Sequence, residues 1–123
     1  DGKLTGNAIR VPTPNVSLAV MSLTVDKNDL NKEDVNEFLR KTAFNSKYRE
    51  IVGFVNSTEI VSSDFYSSPF ASVIDSQATI VSDNKITLYC WYDNEYGYSV
   101  QVVNLVKNIA GINLIRLPVK VWN

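Results

Sequence analysis

The chain has 123 residues, 45% of them apolar and 20% charged, with 12 basic and 13 acidic side chains for a net charge of −1. That length fits one domain with a core of its own, and the near-neutral charge leaves no basic field for phosphate backbones, so nucleic acid is not expected as a partner. The densest apolar stretch, VSLAVMSLTV at 16–25, is about half the ~20 residues a spanning helix needs, so no membrane partner is expected either. The opening DGKLTGNAIR lacks the apolar core of a signal peptide.

A single cysteine, Cys90, allows no internal disulfide and suits a reducing compartment, which predicts a cytoplasmic location. The chain has no histidine, which excludes a His-based triad, a His general base and most zinc sites within it. The sequons at Asn15 and Asn56 are read as chance occurrences.

In chain order, residues 1–6 read as a lead-in loop. Asn7 to Val11 is expected as a short strand, stopped by Pro12-Thr13-Pro14, whose prolines fix φ and remove N–H donors. The β-branched run 16–25 predicts a long strand covered on at least one face. Asn31 is a good N-cap, with Glu33 and Asp34 in the first turn; Val35, Phe38, Leu39, Thr42 and Ala43 then mark one face of a helix over 32–45. Short strands are expected at 51–55 and 60–61, then a polar loop, SSDFYSSP, and an extended stretch at 71–75. QATIVS (77–82) and KITLYCWY (85–92) flank Asp83-Asn84 as a β-hairpin. A helix starts near Gly97, with Val102, Val103, Val106, Ile109 and Ala110 on one face and Gly111 as its C-cap. Residues 112–123 read as a short apolar tail. The sum is an α+β fold: an antiparallel or mixed sheet of about five strands with helices on one face.

Few motifs carry chemistry. The glycines at 2, 6, 53, 97 and 111 form no G-x-G-x-x-G, so the chain has no nucleotide fingerprint of its own. Cys90 lies in an alternating strand and reads as buried and inert. Asp64, Asp75 and Asp83 read as solvated loop acids. Arg10 stands before a rigid Pro-rich turn, where its planar fork would suit carboxylate or phosphate oxygens; an ordinary surface arginine is the commoner outcome of such a position. WYDNEYGYS at 91–99 places Asn94 in a strand-to-helix connection beside Tyr96 and Tyr98. It is either a packed strand end or a ligand wall, in which an amide can pair in both directions.

These two stretches together, LTGNAIRVPTPNVSL at 4–18 and WYDNEYGYS at 91–99, closely resemble phosphorylating glyceraldehyde-3-phosphate dehydrogenase, in their usual order and at about their usual separation. IVSSDF at 60–65 and the last helix match as well, so the resemblance covers residues 2–111; the tail resembles the extended C-termini of some bacterial members. What the resemblance implies is a two-domain NAD- or NADP-dependent enzyme, of which residues 1–123 are part of the C-terminal catalytic domain. Arg10 would bind phosphate, Asn94 the nicotinamide carboxamide, and Tyr98 would pack beside that ring. The family's Ser-Cys-Thr-Thr-Asn motif, its partner histidine and the Rossmann domain are absent from this sequence. No catalytic residue or metal ligand is therefore expected in the chain, which should be inactive alone. The implied partners are the missing N-terminal half of the same enzyme, further copies in a tetramer, and a small-molecule substrate. An erythrose-4-phosphate dehydrogenase shares these motifs, and a non-catalytic interaction module of the same fold is the remaining alternative.

Overall fold

A computed structural model describes residues 2–112. In order, the elements are β1 (Ser17–Thr24), α1 (Lys32–Asn45), β2 (Val52–Val55), a 3-10 turn (Ser62–Phe65), β3 (Ser72–Asp75), β4 (Ile80–Ser82), β5 (Lys85–Tyr92) and α2 (Tyr96–Ile109). The five strands form one sheet in the order β1-β5-β3-β2, with β4 also on β5. β1 pairs antiparallel along all of β5, from Ser17 opposite Tyr92 to Thr24 opposite Lys85. β3 and β4 pair antiparallel with β5 near its end and its start respectively, while β2 runs parallel to β3, so the sheet is mixed.

β5 is the organising strand because its side chains alternate between two cores. Ile86, Leu88 and Cys90 face one side, where they bury with Ile74 and Val35 of α1. Trp91 faces the other side, against Val16, Phe65 and Val73. Its ring stacks on Phe65 with centroids 5.4 Å apart and planes 11° from parallel. Cys90 is buried, as its alternating strand predicts, and burial pushes its thiol pKa up.

α1 starts where Asn31 predicts: the Asn31 side chain accepts the Asp34 N–H at 2.7 Å. Its inward stripe runs through buried Val35 and Ala43 and half-buried Leu39, with Lys32 and Asn36 reaching the carbonyls of Gln77 and Ser76. Phe38, expected on this face, is 69% exposed. It stands about a third of a turn from the centre of the stripe.

Other expectations are corrected by local hydrogen bonds. Residues 7–11 form no strand; a tight turn closes just after them, over 11–13, with the Thr13 N–H on the Val11 carbonyl at 2.9 Å. Ile60-Val61 is not a strand, since the Asp64 carboxylate accepts the Val61 N–H and opens the 3-10 turn. The hairpin keeps its turn, with Asp83 at φ 55, but β4 begins only at Ile80. The delay has a cause: Asp75 holds 76–79 in a turn by accepting the Ala78 N–H on its carboxylate and the Thr79 hydroxyl on its carbonyl. β1 is less covered than its composition suggests, with Leu18, Val20, Met21 and Leu23 all exposed. The apolar tail at 113–123 lies outside the described residues.

α2 ends as Gly111 predicts. Gly111 takes φ 70, the Ile112 N–H bonds the Lys107 carbonyl and the Gly111 N–H that of Asn108, the two bonds of a Schellman motif. Among the described residues, its only buried position is Gly97. No membrane-crossing length occurs in either helix.

Candidate functional site: the Asp93 junction

The strand β5 stops at Tyr92 and the helix α2 starts at Tyr96, so Asp93, Asn94 and Glu95 make the connection. A helix leaves its first N–H groups without partners. Glu95, immediately before the helix, gives no side-chain cap. Asp93 does that work from further back. One carboxylate oxygen accepts the N–H of Glu95 at 3.0 Å and of Tyr96 at 2.9 Å, and the Asp93 carbonyl accepts the Gly97 N–H at 3.1 Å. This is the N-cap pattern of an acidic residue, two and three positions ahead.

The second carboxylate oxygen of Asp93 faces away from α2. It accepts the Ser67 N–H at 2.8 Å and the Asn15 Nδ2 at 3.1 Å. Four donors from three separate chain segments thus converge on one buried carboxylate. Each of them favours the charged form. The Tyr96 N–H contributes most, ahead of those of Ser67 and Glu95 and the Asn15 amide, and together they hold the pKa below the usual carboxylate value against the opposing effect of burial.

The Asn15 side chain is committed at both ends, with its Oδ1 accepting the Val16 N–H at 2.7 Å. Val16 is buried yet sits at φ 68. That left-handed conformation is an outlier for a β-branched residue and costs on the order of 1–3 kcal/mol. The strain lies where the Pro-rich turn enters β1, and the Asn15 bonds and the second core hold it.

Gly97 fixes the position of α2 from the other side. A Cβ there would lie 2.5 Å from the Phe70 carbonyl oxygen and 3.3 Å from that of Ser68, so the helix approaches the 68–70 backbone as closely as a residue without a side chain permits. Gln101, one turn on, donates its Nε2 to the Pro69 and Glu50 carbonyls at 2.9 and 3.2 Å.

The three site residues named from the sequence lie in two segments that this junction joins. Asn94 is exposed in the connection, directly after Asp93. Tyr98 is 71% exposed and Tyr96 is exposed as well, so the aromatic cluster divides: Trp91 packs into a core while the two tyrosines face outward. Arg10 is exposed in the segment before β1, and no ion pair engages it among the described residues. The structure joins the segments that carry Arg10 and Asn94 through the Asn15–Asp93 bond. Among the described residues there is no cluster of acids and Cys able to hold a metal ion.

Asp75 corrects its reading as a solvated loop acid. It is buried at the end of β3, where its carboxylate accepts the Trp91 indole N–H at 3.3 Å and the Ala78 N–H at 3.2 Å. Sequence reading also missed Asn15, Ser67, Asp93 and Gly97. Only Asp93 had a usable signal, an acid three positions ahead of a helical pattern.

The family model for the glyceraldehyde 3-phosphate dehydrogenase C-terminal domain matches residues 1–94. A glyceraldehyde-3-phosphate dehydrogenase-like protein of Pseudomonas aeruginosa is 53% identical over 117 residues, which are 95% of this chain and 25% of that protein. Glyceraldehyde-3-phosphate dehydrogenase 2 of Bacillus subtilis is 43% identical over 113 residues, 89% of this chain and 32% of the relative. The chloroplastic GAPB enzyme of Arabidopsis thaliana is 46% identical over 110 residues, 89% of this chain and 24% of its own length. The chain therefore spans about a quarter to a third of the curated relatives it matches. It belongs to the glyceraldehyde-3-phosphate dehydrogenase family and corresponds to part of its C-terminal domain.

Proposed function

We propose that this chain supplies two ligand-binding elements of an NAD- or NADP-dependent dehydrogenase that converts glyceraldehyde 3-phosphate and phosphate to 1,3-bisphosphoglycerate. Arg10 binds a phosphate group, its fork matching two oxygens at once. Asn94 pairs its amide with the carboxamide of the nicotinamide, donor to acceptor in both directions, and Tyr98 lies beside the ring. When bound, the cofactor supplies the hydride acceptor. The residues of this chain bind and orient; the nucleophile and the base belong to the remainder of the enzyme, because the only cysteine here is buried and there is no histidine. The chain works as one part of a cytoplasmic enzyme that assembles as an oligomer.

The observation that carries this reading is the Asn15–Asp93 bond, which ties the Arg10 segment to the Asn94 connection while Asn94 and Tyr98 stay exposed to a ligand. In support of a cofactor role, Asn94 is exposed in the connection and its side chain takes part in no hydrogen bond among the described residues. The test is an assay of phosphate-dependent aldehyde oxidation, with NAD and with NADP. The 123-residue chain should show no turnover alone, and the complete protein carrying it should turn over glyceraldehyde 3-phosphate. In that protein Arg10→Ala should raise the KM for phosphate, and Asn94→Ala the KM for the cofactor. Preference for erythrose 4-phosphate would revise the substrate, and activity of the isolated chain would overturn the division of roles.

A further inference from the structure

Asn15 hydrogen-bonds neither Arg10 nor Asn94, yet among the described residues its side chain links the segments that carry them. We propose that Asn15 is a positioning residue for the dehydrogenase reaction, fixing the placement of Arg10 relative to Asn94 through its bond to Asp93. This inference rests on the roles proposed above for Arg10 and Asn94.

The chemistry of the junction requires an amide at position 15. Its oxygen must face the Val16 N–H and its nitrogen the Asp93 carboxylate. Turning the amide over would set donor against donor and lone pair against carboxylate, so the orientation follows from the partners. An aspartate has nearly the same shape and would keep the Val16 bond, but would bring a second carboxylate against Asp93.

Both arms leading away from Asn15 are stiff. Toward Arg10, Pro12 and Pro14 fix their φ angles, the Thr13 N–H closes on the Val11 carbonyl, and the Thr13 hydroxyl donates to the Asn15 carbonyl at 3.2 Å. Arg10 is five residues from Asn15, at most about 18 Å of fully extended chain, and that chain has few free torsions. Toward Asn94 the path is one peptide bond from Asp93, and the Glu95 and Tyr96 N–H groups on the same carboxylate hold the far side of the connection. A displacement at Asn15 therefore reaches both ligand residues. On the β1 side it is resisted by Val16, buried at φ 68, which cannot slide along the chain without losing its place in the second core.

The experiment pairs kinetics in the complete protein with spectroscopy. Asn15→Asp should lower kcat/KM about ten- to hundredfold, raising the KM for phosphate and for the nicotinamide cofactor together. The double variant Asn15→Asp with Asp93→Asn reverses the polarity of the pair and restores one hydrogen bond between the two positions, at the expense of the bond from Ser67. It should recover part of the loss in both KM values. Lower thermal stability with both KM values unchanged, or a rise in only one of them, would overturn the proposal. A second readout does not depend on activity: in Asn15→Asp, the amide resonances of residues 9–11 and 13 and those of 94–96 should shift together. Shifts confined to the amides of residues 15–17 would overturn it. An inactive wild-type protein that still shows the paired shifts would sink the assigned reaction while the coupling itself stood.

Discussion

The two helices are the same length, 14 residues each, and both carry an apolar face, yet they are held in different ways. α1 brings its own N-cap, Asn31, and lays Val35, Leu39 and Ala43 on the sheet. α2 borrows its cap from Asp93 and is fastened at one end by hydrogen bonds and a glycine, while Val102, Val103, Leu105, Val106 and Ile109 remain exposed. The first attachment is mainly apolar, with hydrogen bonds from Lys32 and Asn36 beside it, and its apolar part is non-directional and tolerant of small shifts. The second is directional, and it fixes where one end of a helix starts. That suits a connection whose task is to present Asn94 at a defined place.

Breaking each attachment should give distinguishable results. The largest effect is expected in the α1 core. Leu88→Ala removes a buried side chain between α1 and the sheet and should cost about 2–5 kcal/mol, read as a uniform loss of global stability in denaturant unfolding. Gly97→Ala should cost less, about 1–3 kcal/mol, because the added methyl meets the Phe70 carbonyl and α2 must back away. Its signature should be local. Gln101 would lose its bonds to Pro69 and Glu50, and the 96–101 amides would exchange faster while those of α1 do not change. Equal exchange in both helices would contradict the separation.

Acid gives a milder version of the second break. The folded pKa of Asp93 lies below the ordinary value of 3.8, so its contribution is complete above that pH and is lost as pH falls through the lower folded value. The start of α2 should therefore loosen in the most acidic part of a titration, before β5 and α1 separate. The smallest effect belongs to Glu37. Arg40 holds its pKa at about 2 by a side-chain hydrogen bond, but the pair is on the surface, and Glu37→Gln should leave the unfolding midpoint unmoved.

Much of the fold was legible in the sequence, for reasons the two regions make plain. α1, β5 and the turn at Asp83 follow from periodicity and capping, which are local. The extent of β4 did not, because Asp75, from outside that stretch, holds 76–79 in a turn. The parallel pairing of β2 with β3 joins Val52 to Ser72 across 20 positions and leaves no mark on either strand alone. At the site, Arg10, Asn94 and Tyr98 stood out as weak local signals, and resemblance to a family gave them their roles. The residues that hold the segments together did not stand out. Asn15 and Asp93 are 78 positions apart, and a single hydrogen bond between them has no periodicity to read. Gly97 looked like one scattered glycine until the Phe70 carbonyl was placed against it.

The most direct test of the account is amide hydrogen exchange at Ser67, Glu95 and Tyr96 in the wild type and in Asp93→Ala. If one carboxylate fastens these segments, all three amides should lose protection together on substitution, while Asp34, capped by Asn31, keeps its own. If Ser67 stays protected when Glu95 and Tyr96 open, Asp93 is only a helix cap and does not join the segments.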